Sequence, residues 1–421
     1  MTNDRISIDL AKSAARMEQD VETLGGRQYT NSSDAISRYA YVPEFQNTTN
    51  YFVRELEAIG FDAWEDPVGN LIARNKPKGE PAFGVGSHHD SNRNGGKYDG
   101  TLGVSAALEI CRLSTELNLD LPLQLMSFIE EEASAFGQGV LGSRIITGQV
   151  SEDGLRNDYR AVDDGRTFWE HAEDAGHDPS RWRECKDALD GLAGWIELHI
   201  EQGLVLQDGG MHFGIVNAIV GVNWVDLVFH GRADHAGGTA MQNRADAGLA
   251  AAETIIELER IVNTQTVPTV GTAGVGQFLP GLNNVIPGEV KLGLDIRSVE
   301  KTVYEEIITH VIGFAERVGA AREVSVDSSI QTLTEATVLS ERVVHALEQA
   351  GNDSGHSFAF MHSGGGHDTQ LIAPHVPSAM VFIPCKDGVS HSPDELADPA
   401  DAAVAVEVML NAIRQYMSSA S

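Results

Sequence analysis

Basic residues and cysteines are both scarce in this sequence. It has 30 lysines and arginines against 61 aspartates and glutamates, which gives a formal net charge of −31 at pH 7. A surface of this sign repels nucleic acid and anionic membranes, so we expect neither as a partner. The cysteines, Cys111, Cys185 and Cys385, are odd in number and widely spaced. They predict buried free thiols, not a disulfide framework or a cysteine metal motif.

Long apolar runs are missing as well. The stretch 214–229 is interrupted by Asn217, Asn223 and Asp226, whereas a membrane span needs about 20 predominantly apolar residues. The N-terminal segment lacks the basic region and apolar core of a signal peptide, so we expect a cytoplasmic protein. The overall composition, with 42% hydrophobic and 22% charged residues, is that of a globular protein long enough for two domains.

Helix-like and strand-like segments alternate along the first half of the chain. Apolar strands are predicted at 69–74, 83–87 and 123–129, and helices at 47–59 and 103–117. This alternation favours an α/β domain with a mixed, largely parallel sheet. In such sheets, functional residues gather where strands end and loops begin.

The pattern changes near residue 214. From there the predicted order is strand, helix, two strands, helix and strand, which is typical of a compact α+β sandwich. The alternation of helix-like and strand-like segments resumes after about residue 328. The sequence therefore predicts one domain formed by 1–213 and 329–421, interrupted by an inserted domain of 214–328.

Short polar segments at the ends of apolar strands carry residues suited to metal binding. In the first, a strand leads to His88, Asp90 follows two residues later, and a glycine-rich turn presents Asp99. The second is the glutamate run 130–132, whose charges repel one another unless a cation is near. The other two segments each place a histidine on a turn after an apolar strand: His199 and His391.

Each segment alone has an ordinary explanation, such as a polar turn, an acidic helix start or a structural histidine. Together they supply a complete ligand set for two metal ions if the aspartate is shared: His88, Asp99, Glu132, His199 and His391. The set leaves a position open for water, and a neighbouring glutamate is then available as general base. We expect two divalent ions per subunit, zinc first, with manganese, cobalt or nickel as alternatives.

Seven motifs resemble the carbamoylase and allantoate amidohydrolase branch of the dinuclear zinc peptidase/aminoacylase family. They run in order along nearly the whole chain: GSHHDS…NGGKYDG, EEE…F, ELHIEQG, DHAGGTAM, LNNVIPGEV…DIRS, GGGHD and DGVSHSPDE. The resemblance implies hydrolysis of the linear carbamoyl or ureido C–N bond of a small carboxylate-bearing substrate. It also implies a homodimer in which the inserted domain serves as lid and dimerisation module.

The resemblance further implies a specific dinuclear arrangement. Asp99 bridges two ions, with His88 and His199 on one and Glu132 and His391 on the other. Glu131 is implied as general base, and Asp90 as the companion of His88.

Other residues match the family's pocket positions. His235 is implied to reach a neighbouring subunit's site and to stabilise the oxyanion. Asn284 and Arg297 match residues that bind the substrate carboxylate. Two further pocket positions are Gln202 and His367.

The sequence departs from the family pattern near the site. Ala133 and Ala135 stand where the family usually has Gly-x-Arg, and Gly238 and Ala240 stand within the segment that usually reads Thr-Thr-Pro. No ligand or base is lost, so a non-catalytic binding protein is not favoured. The substrate stays open: an allantoate or ureidoglycolate amidohydrolase, and an aminoacylase or dipeptidase on the same scaffold, are the alternatives.

Overall fold

The computed structural model of this protein describes residues 5–32 and 34–419. The chain divides into two compact units. The main unit comprises the described residues of Met1–Asn217, Leu339–Met361 and His367–Ser421, and the inserted unit comprises Ala218–Val338 and His362–Gly366. The boundaries predicted from the sequence, 214 and 328, fall inside two strands of the structure.

The regular elements are labelled here in chain order. The helices are α1 (Leu10–Leu24), α2 (Pro43–Ala58), α3 (Thr101–Glu116), α4 (Leu141–Ile146), α5 (Phe168–Asp174), α6 (Val205–Gly209), α7 (Ala247–Val262), α8 (Lys301–Ala321), α9 (Glu341–Ser354), α10 (Asp368–Ile372) and α11 (Pro399–Ser418). Short 3₁₀ or π turns occur at Gly154–Asp158, Pro179–Leu189, Met241–Asn243 and Lys386–Gly388. The strands are β1 (Asp62–Glu65), β2 (Leu71–Arg74), β3 (Ala82–His88), β4 (Leu123–Phe128), β5 (Leu192–Ile200), β6 (Phe213–Ile219), β7 (Gly221–His230), β8 (Asp234–His235), β9 (Thr269–Leu279), β10 (Val285–Ile286), β11 (Glu289–Ser298), β12 (Ser325–Thr334), β13 (Thr337–Val338), β14 (Phe358–Ser363) and β15 (Ser378–Ile383).

The larger sheet is mixed, as predicted. Within the described residues it has nine strands in the order β1-β2-β4-β3-β5-β15-β6-β13, with β14 also pairing with β6. Its central pairs, β4–β3, β3–β5 and β5–β15, are parallel. Antiparallel pairs flank this centre on both sides.

Both faces of the central strands are buried, which explains their continuous apolar character. In β4, for example, Leu123 and Leu125 belong to one core cluster, while Met126 and Phe128 belong to another. Helices α1, α3, α9 and α11 contribute to the first cluster, and α4 and α5 to the second. No helix in the described part of the chain is long and apolar enough to cross a membrane.

The inserted unit has the predicted order of elements. In the described residues its sheet has four antiparallel strands, β12-β7-β11-β9, and α7 and α8 cover one face. Along β7, Val225, Leu227 and Phe229 face this core, as alternation requires. A separate two-stranded ribbon pairs β8 with β10.

One strand prediction was wrong. The strand-like alternation over 216–230 predicts a single strand, but the segment forms β6 and β7, which lie in different sheets and are separated by Val220. The Val220 N–H donates to the carbonyl of Ser363 at the break. The sequence pattern does not reveal this break, because Ile219, Val220 and Val222 continue the apolar character across it.

Candidate metal centre

The carboxyl ends of three central strands bring the predicted ligands together. His88 is the last residue of β3, the glutamates 130–132 follow β4, and His199 lies one residue before the end of β5. Because these strands are parallel neighbours, their carboxyl ends share one edge of the sheet. Asp99, from the turn before α3, and His391, from the loop after β15, lie at the same place.

Two groups of ligand atoms meet at Asp99. In the first, His199 Nε2 is 3.1 Å and His88 Nε2 is 3.7 Å from Asp99 Oδ1, and the two imidazole nitrogens are 3.4 Å apart. In the second, His391 Nε2 is 3.2 Å from Asp99 Oδ2 and 3.6 Å from Glu132 Oε1. The two carboxylate oxygens of Asp99 therefore face different ligand groups.

These separations fit metal ions. Ligands at about 2.0 Å from a tetrahedral zinc lie about 3.3 Å from one another, close to the distances in both groups. The acidic members also favour a cation: burial, reinforced by Asp99 and Glu131, raises the pKa of Glu132 well above its usual value. Oε1 of Glu132 is buried and accepts no hydrogen bond from any described residue.

The histidine rings of the first group are oriented for ligation. His88 Nδ1 lies 3.2 Å from the carbonyl oxygen of Asp90, and His199 Nδ1 lies 2.9 Å from the carbonyl oxygen of Ile200. A ring that donates its Nδ1–H to a carbonyl keeps the Nε2 lone pair for a metal. Both Nε2 atoms lie near Asp99 Oδ1, at 3.7 Å for His88 and 3.1 Å for His199.

Asp90 does more than accompany His88. The Asp90 carboxylate oxygen Oδ1 lies 3.5 Å from His88 Nδ1, whereas the Asp90 carbonyl oxygen lies closer, at 3.2 Å. The two carboxylate oxygens accept hydrogen bonds from the backbone N–H groups of Glu131 (3.2 Å) and Glu132 (3.1 Å). Asp90 therefore fixes the glutamate loop against the end of β3.

The three glutamates have different surroundings. Glu130 belongs to neither ligand group and accepts the N–H groups of Ala135 and Phe136, both at 2.7 Å. These bonds hold a loop in which Glu130 and Ala133 have positive φ, a strained conformation for residues with a side chain. Glu131 Oε2 lies 3.9 Å from His88 Nε2, outside both ligand groups. Burial raises the pKa of Glu131 to about 7; His88 opposes this shift and Asp90 and Asp99 reinforce it.

Two predicted pocket residues lie beside the ligands. The Gln202 amide donates to Asp99 Oδ2 and Ser390 Oγ, both at 3.0 Å, and its nitrogen is 3.1 Å from His391 Nε2. His367 packs edge-on against the ring of His199, with ring centroids 4.6 Å apart. Both contacts lie within the main unit.

His235 and Asn284 are neighbours in the inserted unit. The ribbon of β8 and β10 places them side by side, and the Ala236 N–H donates to the carbonyl of Asn284 at 3.0 Å. His235 Nδ1 accepts the N–H groups of Gly237 and Gly238, both at 3.0 Å. In the neutral ring the proton is then on Nε2, so the exposed edge of His235 is a hydrogen-bond donor.

Arg297 already has an anionic partner. Its Nε and one terminal nitrogen form a two-point ion pair with Asp295 at 2.7 and 3.0 Å, and the other terminal nitrogen donates to Gly364. A substrate carboxylate bound by this guanidinium would compete with Asp295.

Sequence reasoning overlooked a buried arginine behind the site. Arg38 is almost fully buried, and its guanidinium donates to the carbonyl of His89 at 2.6 Å and to the Thr101 hydroxyl at 2.7 Å. It thereby ties the loop after β3 to the start of α3. Its segment, SRYAYV, shows no clear periodicity, so no sequence signal pointed to it.

Known proteins share both sequence and fold with this chain. Residues 81–415 match the peptidase family M20/M25/M40. The chain is 33% identical to an N-carbamoyl-L-amino-acid amidohydrolase of Paenarthrobacter aurescens, over 95% of this chain and 97% of that one. It is 31% identical to an allantoate amidohydrolase of Escherichia coli, over 89% and 91% of the two chains.

A solved structure shows the same architecture over its whole length. A hydantoinase/carbamoylase family amidase from Burkholderia ambifaria matches with a TM-score of 0.85 and 30% identity, covering 98% of both chains. The chain therefore belongs to peptidase family M20/M25/M40 and, within it, to the hydantoinase/carbamoylase branch, and it is an amidohydrolase acting on linear amide C–N bonds.

Proposed function

We propose that this enzyme hydrolyses the carbamoyl or ureido C–N bond of an N-carbamoyl amino acid or a related ureido acid, using two divalent metal ions. One observation carries the proposal: Asp99 directs one oxygen to each of two ligand groups, and Glu131 lies beside them without belonging to either. The names of the relatives, which act on N-carbamoyl-L-amino acids and allantoate, support this substrate class. Zinc is the first candidate for the metal, with manganese, cobalt and nickel as alternatives.

The ligands would be His88 and His199 on one ion, Glu132 and His391 on the other, and Asp99 on both. When bound, divalent ions supply Lewis acidity, which acidifies water and polarises a carbonyl group. Glu131 takes the proton of the attacking water and delivers it to the leaving nitrogen. Asp90 holds the backbone of Glu131, so the base keeps its position during both transfers.

Residues of the inserted unit would bind the rest of the substrate. His235, acting in the site of a neighbouring subunit, donates its Nε2–H to the developing oxyanion. Asn284 and Arg297 bind the substrate carboxylate, with Arg297 exchanging its partner Asp295 for the substrate. Gln202 and His367 are the proposed substrate-binding residues of the main unit.

We also propose a homodimer formed through the inserted unit. Strand β9 lies at the edge of the four-stranded sheet, and an unpaired edge is a template for pairing with another chain. Apolar side chains are exposed along it and on the adjoining α7, including Val270 (55% exposed), Val275 (60%) and Ile256 (66%). A second copy of this chain would cover them.

A pair of substitutions tests the roles of the adjacent glutamates. Glu131→Gln removes the base but no ligand, so we expect kcat to fall by about 10²- to 10⁴-fold while both ions are retained. Glu132→Gln removes a ligand, so we expect metal content to fall by one ion per chain. Turnover and metal analysis on the same preparations distinguish the two. Wild-type turnover in a fully metallated Glu131→Gln enzyme would refute the role of Glu131.

A substrate panel tests the specificity. Ammonia release is measured with N-carbamoyl amino acids, allantoate and ureidoglycolate, and free amine release with N-acyl amino acids and dipeptides. We expect the highest kcat/KM with an N-carbamoyl amino acid. A preference for allantoate or ureidoglycolate would move the enzyme to that alternative, and activity confined to N-acyl amino acids or dipeptides would refute the ureido class.

A further inference from the structure

Glu395 is a buried carboxylate that contacts two separate segments of the candidate metal centre, the turn that carries Asp99 and the loop that carries His391. Its Oε1 accepts the backbone N–H groups of Tyr98 (2.9 Å) and Asp99 (3.0 Å). Its Oε2 accepts the hydroxyl of Ser390 at 2.7 Å, next to His391. The described residues offer Glu395 no lysine, arginine or histidine as an ion-pair partner. Its contacts are thus those of a hydrogen-bond acceptor, shared between the Asp99 turn and the His391 loop.

Gly96 packs directly against the Glu395 carboxylate and leaves no room for a side chain. A Cβ on Gly96 would lie 2.1 Å from Glu395 Oε1 and 2.3 Å from its Cδ. Gly96 does not have a positive φ, so the backbone conformation does not require glycine here. The second glycine of the turn is therefore explained by the approach of Glu395.

The contacts of Ser390 extend the connection to the ligand atoms themselves. Ser390 Oγ lies 3.4 Å from Asp99 Oδ2 and accepts the Gln202 amide at 3.0 Å. Asp99 Oδ2 is the oxygen that faces His391. One carboxylate thus fixes the backbone of Asp99 and, through a hydroxyl, the loop that brings His391 to it.

We propose that Glu395 is a positioning residue that holds Asp99 and His391 at ligating distance. It thereby sets how tightly the second ligand group, Asp99, Glu132 and His391, binds its metal ion. This inference rests on the proposed dinuclear centre. Removal of a residue that orients a ligand typically costs 10- to 100-fold in metal affinity. A loss of this size is expected here for the ion that His391 binds, because Glu395 holds both the Asp99 turn and the His391 loop. The other ion shares only Asp99 and should lose less affinity.

Titration of the metal-free enzyme with Zn²⁺, in competition with a chelator, tests the proposal. We expect Glu395→Ala to weaken the binding of the second ion, the one held by Glu132 and His391, by about 10- to 100-fold, and to weaken the binding of the first ion less. Glu395→Gln should stay close to wild type, because its amide oxygen still accepts the two N–H groups and its nitrogen can donate to Ser390. Ser390→Ala, a milder change on the other side of the contact, should also weaken mainly the binding of the second ion.

Controls separate positioning from general destabilisation. Asp246→Ala removes a carboxylate that accepts two backbone N–H groups in the inserted unit, those of Gly248 and Leu249. It should lower the melting temperature of the metal-free protein and leave both Zn²⁺ affinities unchanged. Wild-type affinities in both Glu395→Ala and Ser390→Ala would overturn the proposal, as would a Glu395→Gln enzyme as weak as Glu395→Ala. A wild-type chain that binds fewer than two ions would instead refute the dinuclear centre, and this inference with it.

Discussion

Gly100 lies against the ring of His88 and illustrates how closely single residues fit around the ligands. It has φ of 60°, and a Cβ there would lie 2.3 to 2.5 Å from three atoms of the imidazole. Both the left-handed backbone and the absent side chain are therefore required at this position. The residue follows Asp99 directly, so its conformation also fixes where the shared carboxylate points.

We predict that Gly100→Ala displaces His88 and weakens metal binding. The clash acts on a ligand, so the affinity of the first ion should fall by at least about 10-fold, the effect typical of a misoriented ligand. Zn²⁺ titration measures it. Gly60→Ala is the matched control, because Gly60 also has positive φ but open space around it. Gly60→Ala should cost about 1 kcal/mol of stability and leave the metal affinities unchanged; equal metal affinities in the two variants would contradict the prediction.

His88 and His89 show that residue type alone does not identify a metal ligand. His88 and His89 are adjacent in sequence, but only His88 contacts the ligand groups. His89 is buried on the other side, between the hydroxyls of Ser127 (2.6 Å) and Thr49 (3.0 Å), with Phe45 stacked on its ring. Strand alternation predicts that the two rings face opposite sides of the sheet, but it does not show which side meets the other ligands.

At the scale of elements, α7 and α8 of the inserted unit are joined by a charged contact. Glu257 on α7 pairs with His310 on α8 at 2.6 Å and with Arg260, at 2.6 and 2.7 Å, on its own helix. Arg260 and, to a lesser degree, His310 lower the pKa of Glu257 to about 2. The folded state therefore binds the proton of this carboxyl less readily than the unfolded state does.

The sign of this shift predicts a pH-dependent stability effect. The stabilisation from Glu257 is fully present above the unfolded pKa of about 4.3 and is lost as pH falls towards 2. Glu257→Gln should therefore lower the melting temperature most at neutral pH, with a difference that shrinks between pH 5 and pH 3. Thermal unfolding across this range measures it. Glu259→Gln, an exposed change on the same helix, should have little effect at any pH; a Glu257→Gln difference that grows on acidification would refute the assignment.

The element order was largely predictable, and its limits have a physical cause. Strands β2, β3 and β4 and helices α2 and α3 lie close to their predicted positions, because apolar runs and turn residues mark them locally. The break between β6 and β7 was missed, because it depends on which sheet each strand joins. The turn at Glu130 was also missed, because the N–H groups that donate to its carboxylate lie five and six residues farther along the chain.

At the scale of the whole molecule, two compact units carry different parts of the proposed chemistry. The main unit holds every residue of the two ligand groups and Glu131, while His235, Asn284 and Arg297 belong to the inserted unit. The exposed apolar surface of β9 and α7 lies on the inserted unit. Dimerisation and turnover are therefore expected to be linked through this unit.

We predict that the wild-type enzyme is a dimer and that Val275→Asp makes it a monomer. A carboxylate placed in an apolar contact must be desolvated, which disfavours association. Light scattering coupled to size exclusion measures the mass. The monomer should keep both metal ions but lose turnover, because His235 is proposed to act in the neighbouring site. Leu117→Asp, at an exposed apolar position of the main unit, is the control and should leave the dimer intact; a monomeric, active wild-type enzyme would refute both proposals.

The sequence by itself determined the reaction class of this protein, because ligand residues keep their chemical identity in any fold and their motifs recur in order. It also predicted an α/β fold with an inserted α+β unit, since hydrophobic periodicity is a local property. Only the tertiary structure decided how the residues act. The two Asp99 oxygens are divided between His199 and His391, Asp90 holds the backbone of Glu131, and Glu395 holds the backbone of Asp99. Each of these contacts joins segments that are distant in the chain. Side-chain directions at such meeting points are set by packing and by long-range hydrogen bonds, which no local pattern records.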